Sequence, residues 1–318
     1  MILTCMLRRA PVSPIVATLL LIAAAALPRA AAQHATARAS QLDPSVPAPS
    51  QAEMRERREK LIANQHADDE ALNLYGRIEH WVERSGGKNS RVLDDRTYRV
   101  VPTGGGTMKI LLNDHGAGVS ADDYRRQLKA WKQVLETMTQ PNSAKGQTAR
   151  AKYEKRERQR AQFVDAAKNA FLPKWLGRQT IDGHSCGVFE LLPNPEFHPS
   201  SIFEGALAHV TAKIWLDAQS DQLVRGEAWV TSDISFIAGI AGKVYRGSRV
   251  EMDQAQITPG VWLPIHYEYD LTGRKFLFPF GEHQTIDVKD YRRIGTPREA
   301  LAEVETELAS GKGPIADP

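Results

Sequence analysis

Between His209 and Tyr291 the chain repeats one pattern that a helix cannot use. In the stretch from His209 to Asp217, Val210, Ala212, Ile214 and Leu216 fall on one side of an extended chain, while Thr211, Lys213 and Asp217 fall on the other. A turn at Ala218 to Asp221 follows, and the chain returns through Gln222 to Thr231 with Val224, Gly226, Ala228 and Val230 sharing a face. The alternation recurs over 244–256 and 261–271, with reversals at Pro259-Gly260 and Thr272-Gly273. A two-residue period over successive segments predicts antiparallel strands with one face covered.

The remaining chain supplies helices and further strands. A charged helix is predicted over 51–65. Residues 72–84 fit a helix through Leu74, Ile78, Trp81 and Val82, and a strand through Leu72, Leu74, Ile78 and Val82; the Gly86-Gly87 and Gly104-Gly105-Gly106 turns downstream favour a three-stranded meander ending at Leu112. Ser120 with Asp123 is an N-cap signal, and Tyr124, Leu128, Trp131, Leu135 and Met138 form a single apolar stripe on the helix that follows. A second helix is expected over roughly 147–171. The run from Lys152 to Arg160 within it mixes Glu154 and Glu157 with its bases and has no aromatic platform, so it reads as a solvated face and not as a nucleic-acid site. A hairpin turning at Asp182-Gly183, a loop over 196–208 that could close as a lid, strands over 275–280 and 282–294, and a final helix opened by Pro297 complete the reading.

The N-terminus reads as an export signal. Arg8 and Arg9 precede the apolar run from Ile15 to Leu27, and Ala30-Ala31-Ala32 offers a small-residue cleavage site, with a second at Ala37-Arg38-Ala39. Residues 1–32 are therefore expected to leave, 33–50 to form a disordered Ala/Pro/Ser linker, 51–309 to fold as one α+β domain, and 310–318 to remain a flexible tail. Arg8, Arg9 and Arg29 depart with the signal, taking the formal charge from +3 to 3 − 3 = 0, so the basic balance argues for neither nucleic acid nor an anionic membrane. Of the two cysteines Cys5 would be lost, which leaves Cys186 without a disulfide partner in a periplasmic or secreted protein.

Chemistry-bearing patterns are sparse. Gly183-His184-Ser185-Cys186-Gly187 matches the G-x-S-x-G nucleophile elbow, but that motif requires a turn from strand into helix, and here a strand follows. His184 with Cys186, and Glu268 with Asp270, are strand-spaced pairs without the companions that a metal site or a glycosidase needs. Trp215, Trp229 and Trp262 lie opposite the aliphatic faces of their strands, a placement that suits covering helices better than a sugar platform. No catalytic residue, metal or cofactor is assigned.

The N-terminal helix, the meander, the inserted helical pair and the hairpins with Ile214-Trp-Leu-Asp217, Gly247-Ser248 and Gly260-Val-Trp-Leu-Pro264 resemble a family of secreted bacterial β-rich proteins. More distantly, the layout is similar to the lipoprotein carriers LolA and LolB and the regulator RseB. That resemblance implies a curved antiparallel sheet, an open half β-barrel, with helices covering a concave face that holds acyl chains. The lining expected for such a cavity is Val210, Ile214, Leu216, Val224, Val230, Leu263, Ile265, Tyr267 and Tyr269. The reading is then a non-catalytic carrier or sensor whose partner is an apolar ligand, a lipid or lipoprotein acyl chain, or an envelope protein. The alternatives are an exported hydrolase using Ser185 and an envelope interaction module without a ligand.

Overall fold

The alternating segments do pair as strands. The computed structural model describes residues 39–140, 143–236, 242–276, 278–311 and 313–314. The signal expected over 1–32, and residues 33–38 and 315–318, lie outside them. Among the described residues the helices are α1 (Gln51–Leu72), α2 (Ala121–Thr139), α3 (Ala144–Ala170), the short α4 (Ile202–Gly205) and α5 (Pro297–Ser310). The strands are β1 (Tyr75–Ser85), β2 (Val92–Pro102), β3 (Thr107–Asp114), β4 (Ala117–Gly118), β5 (Phe171–Ile181), β6 (His184–Pro193), β7 (Val210–Asp217), β8 (Leu223–Val230), β9 (Ile234–Phe236), β10 (Gly242–Val244), β11 (Arg249–Thr258), β12 (Val261–Lys275) and β13 (Phe278–Arg293). They form one sheet in the order β4-β3-β2-β1-β13-β12-β11-β8-β7-β6-β5, with β10 pairing to β12 and β9 beside it. The sheet is not closed into a barrel: β4 and β5 end the order. The class is α+β, a large open antiparallel sheet with helices, as the alternation requires.

The chain divides into two compact units, each discontinuous in sequence. Among the described residues the first takes those within 39–60, 163–252 and 269–281, and the second those within 61–162, 253–268 and 282–314. In the second unit the α2 stripe does what its spacing predicts. Tyr124, Leu128, Trp131 and Leu135 are buried together with Val101 and Ile110 from the sheet and Ala300 and Val304 from α5. Ser120 caps α2 by accepting from the Asp123 amide at 3.1 Å. Thr296 and Glu299 close a reciprocal capping box at the start of α5, with Pro297 in its first turn. Arg99, only 6% exposed, crosses this core. Its guanidinium donates to Tyr124 Oη at 2.7 Å and to the carboxylates of Glu307 at 2.8 Å and Glu303 at 3.0 Å.

Helix α1 is longer than the expected 51–65: Ala67, Glu70, Ala71 and Leu72, good helix formers, carry it on before the chain enters β1. Ser50 and Glu53 open it with a reciprocal pair, the Ser50 amide donating to Glu53 Oε2 at 2.7 Å and the Glu53 amide to Ser50 Oγ at 3.3 Å. In the first unit residues 39–50 are not a disordered linker. Ser40 donates its amide to the Thr180 carbonyl at 2.8 Å, Asp43 and Arg178 exchange both backbone bonds at 2.8 and 3.0 Å, and Trp175 Nε1 reaches the Val46 carbonyl at 2.9 Å. Low apolar content hid this order, since its source is the unpaired backbone of edge strand β5. Prolines at 44, 47 and 49, which lack an amide donor, are tolerated on such an edge.

Gly177 makes the close approach feasible. Its φ is +129°, and a Cβ built there would run into the Asp43 carbonyl oxygen. Gly177→Ala is therefore expected to destabilise the chain by ~1–3 kcal/mol through strain and loss of the strap. A lowered urea midpoint, together with faster proteolytic cleavage between residues 39 and 50, would report it.

Candidate functional site

Strands β7 and β8 carry the aliphatic face that the alternation predicts. Val210 lies opposite Val230, Ala212 opposite Ala228 and Ile214 opposite Gly226. Strand β6 extends the row, with Leu191 opposite Ala212 and Phe189 opposite Ile214. Val210, Ile214, Leu216, Val224 and Val230 are all buried, Ile214 being the most accessible at 8%. The other face is mixed: the Lys213 ammonium stands 4.6 Å from the centre of the Trp215 ring, whose Nε1 donates to Gln179 Oε1 at 2.7 Å. Register slips once, at Trp215/Leu216, which sets Leu216 opposite Leu223 and leaves Val224 as the extra residue.

The nine expected lining residues divide between the two units. Val210, Ile214, Leu216, Val224, Val230 and Tyr269 belong to the first, and Leu263, Ile265 and Tyr267 to the second. Leu263 and Tyr269 are buried, whereas Ile265 and Tyr267 are half-buried. Around Tyr267 the surroundings are charged and not aliphatic: Arg77, Arg160, Glu79 and Asp69 all act on its hydroxyl, and burial pushes its pKa up to about 12. Tyr291 is shifted upward as well, first by burial, and its hydroxyl donates to the Pro264 carbonyl at 2.6 Å. Trp262 is buried, and its backbone amide donates to Asp68 of α1 at 3.0 Å.

The motif Gly183–Gly187 makes no nucleophile elbow. Asp182 and Gly183, with φ of 49° and 87°, turn the β5–β6 hairpin, and Ser185 lies exposed on β6 opposite Thr180. Cys186 is fully buried, and burial pushes its thiol up to about 12, leaving it protonated. Asp217, which His184 approaches at 3.5 Å, is occupied in capping its own turn through the amides of Gln219 and Ser220. Glu268 is engaged by Lys88 at 2.8 Å. A pocket of about 180 Å³ lies in the first unit, between the Pro47–Pro49 strap, Glu53, Arg57, Trp175 and Arg178. That is below the ~300–1,000 Å³ of a typical small-molecule site.

Two constellations escaped the sequence reading. Asp94, Asp114 and His115 bring one donor atom each within 4.8 Å of the others, but Arg96 Nε already stands 3.1 and 2.9 Å from the two carboxylates and supplies their counter-charge. The second is built on β1, where Arg77, Glu79 and Trp81 alternate. Glu79 is 5% exposed and accepts from Arg77 Nε at 2.7 Å and Trp81 Nε1 at 2.8 Å, with the Lys109 ammonium 3.7 Å away. The signal was present: charged and aromatic residues sharing one parity mark a face that is neither core nor plain solvent surface.

By geometry the chain is a large open antiparallel sheet with helices. No family model matches it, and no curated protein matches it significantly. Among solved structures it is similar in layout to the LolA superfamily protein NE2245 from Nitrosomonas europaea, at 11% identity and a TM-score of 0.30, over 75% of this chain and 96% of that one. It is also similar to a putative outer membrane lipoprotein-sorting protein domain from Vibrio parahaemolyticus, at 10% identity and 0.29, over 74% and 92%. A DUF1329 family protein from Desulfovibrio piger aligns at 11% identity and 0.27, over 75% and 92%. Likeness this loose transfers no ligand, partner or residue role.

Asp68 offers a pH test of the contact between α1 and β12 within the second unit. It is 4% exposed, and its Oδ2 has no hydrogen-bond partner among the described residues. Burial raises its pKa from 3.8 to about 6. Because the folded value lies above the unfolded one, the stability tied to its proton is fully present below the unfolded pKa and is lost as pH rises through about 6. Asp68→Asn, which keeps an acceptor for Trp262 and never ionises, should gain on the wild type by ~1–3 kcal/mol between pH 4 and pH 7. Chemical denaturation of both proteins at the two pH values measures this.

Proposed function

We propose that the chain is an exported, non-catalytic carrier or sensor that holds an acyl chain of a lipid or lipoprotein against the β7–β8 face of its first unit. The observation that carries this reading is the smallness of that face. Ala212 meets Ala228 and Ile214 meets Gly226 in the middle of a row that is otherwise Val and Leu. Small side chains in that row are what a groove for a straight hydrocarbon chain needs; the face is closed to solvent in this structure, so such a chain would enter by displacing what covers it. Burial contributes ~0.8 kcal/mol per CH₂, so ten methylenes give about 8 kcal/mol, the scale of micromolar binding before ordering costs are subtracted. Export is supported by Arg8, Arg9, the run from Ile15 to Leu27 and the alanines at 30–32. No helix among the described residues is long and apolar enough to cross a membrane.

Ala228→Phe separates a ligand groove from a packed core. If the face is a groove, the added ring enters free space, stability stays within ~1 kcal/mol of wild type and affinity for a fluorescent fatty-acid probe falls sharply. In a core of crystal-like density the same ring overpacks and costs ~1–3 kcal/mol. Urea denaturation and probe titration of both proteins give the answer. A large stability loss, with no probe binding even by the wild type, would replace the carrier reading with an envelope interaction module.

A further inference from the structure

On β1–β3 of the second unit an ammonium ion already sits in an aromatic enclosure. The Lys109 Nζ lies over the Trp81 ring, 3.1 Å from its centroid, and 5.2 Å from the centroid of Tyr98. The two rings stand edge to face at 89° with centroids 6.4 Å apart. Glu79 lies directly opposite Tyr98 across β1 and β2, and the bond from Trp81 Nε1 to Glu79 Oε2 fixes the indole. Two π faces and a carboxylate around one cation are the elements by which proteins recognise organic ammonium groups.

Lys109 is a loose occupant. Its side chain is 39% exposed, so the four-carbon stem is able to turn into water. Desolvation comes first among the influences on it and lowers its pKa to about 8; of the charged groups that act on it, Glu79 opposes the shift and Arg77 adds to it. The ammonium is thus costly to keep in place, and near pH 8 it gives up its charge. A quaternary ammonium carries no N–H bonds to strip of water and no proton to lose.

We infer that Trp81, Tyr98 and Glu79 form a binding box for a quaternary ammonium group of the choline type, with Lys109 as the built-in occupant that an external ligand displaces. The inference is independent of the acyl-chain reading and rests on different residues. Such a group reaches a protein either as a free ion or as a phospholipid headgroup, so the full-length chain is titrated with choline chloride and, separately, with dihexanoylphosphatidylcholine below its micellar concentration. Isothermal calorimetry of wild type, Lys109→Ala, Lys109→Arg, Trp81→Leu and Trp81→Phe at pH 7 and pH 9 reads the outcome.

Lys109→Ala vacates the box and is expected to bind choline at least about tenfold more tightly than wild type at pH 7. Wild-type affinity should rise severalfold from pH 7 to pH 9 as Lys109 deprotonates, while Lys109→Ala stays flat. Lys109→Arg, whose charge persists at both values, should bind no better than wild type at pH 7 and gain nothing at pH 9. Trp81→Leu should lose binding and Trp81→Phe, which keeps a weaker π face, should retain part of it, provided that circular dichroism shows both folded. Tighter binding of the short-chain lipid than of choline assigns the headgroup source, and equal binding assigns the free ion. No saturable binding of either probe by Lys109→Ala up to roughly 10 mM, beyond the weak end of specific recognition, overturns the inference. Binding that is unchanged in folded Trp81→Leu overturns it as well.

Discussion

The two-residue period of the pleat governs everything else in this molecule. Side chains alternate between faces, so each strand commits its even and odd residues to different surroundings, and a slip of one residue would exchange them. On β7 and β8 the alternation holds from Val210 to Ile214 and from Gly226 to Val230, and every aliphatic member is buried. Elsewhere the parity is reset by irregularities between Gly76/Ile78, Glu83/Arg84, Thr97/Tyr98 and Trp175/Gly177. Each adds twist and re-aims the side chains beyond it. The Thr97/Tyr98 slip sits directly beside Tyr98, whose ring faces Lys109.

Within the second unit this alternation gives strands β1 to β3 two different faces. Arg99 pairs in register with Ile78 and Ile110, on the side that α2 and α5 seal. Glu79 pairs with Tyr98 on the other. A buried cation costs several kcal/mol unless its geometry is nearly complete, and for Arg99 it is: two carboxylates and a tyrosine hydroxyl take its donors. Arg292 also pairs with Glu303, so the two acids are matched by two bases. The polar crossing thereby fixes how the α2 stripe and the α5 face meet the sheet, which apolar contacts alone, being non-directional, would define less sharply.

Local pattern carried much of the fold and little of the site. Strands β7, β8 and β12, the hairpin at Asp182-Gly183, the cap at Ser120 and the stripe from Tyr124 to Met138 are legible because each depends on neighbours a few residues apart. The strap at 39–50 was not, because its order comes from backbone groups of β5 some 140 positions away and leaves no apolar trace. The Leu263, Ile265 and Tyr267 segment shows the same limit. Its alternation is that of an apolar face, but Arg77, Glu79, Asp69 and Arg160, which make the environment of Tyr267 charged, come from three other elements. Trp81 and Lys109 are likewise ordinary in sequence and meaningful only once β1, β2 and β3 lie side by side.

The second unit contains two cations over tryptophan rings, and their difference separates architecture from recognition. The Arg99 guanidinium lies 5.5 Å from the Trp131 centroid, is nearly sealed from water and has its own pair of carboxylates. Removing it would leave Glu307 with only the Tyr124 hydroxyl and Glu303 with Arg292 alone, a heavy cost in a sealed core. Lys109 stands closer to its ring, yet it shares one carboxylate with Arg77 and opens to solvent. For both cations burial is the largest influence and opposes the charge; for Arg99 the pairing outweighs it, and for Lys109 the pairing only partly offsets it. On the inference drawn above, the fixed part of the arrangement is the enclosure of Trp81, Tyr98 and Glu79, and Lys109 is its exchangeable occupant.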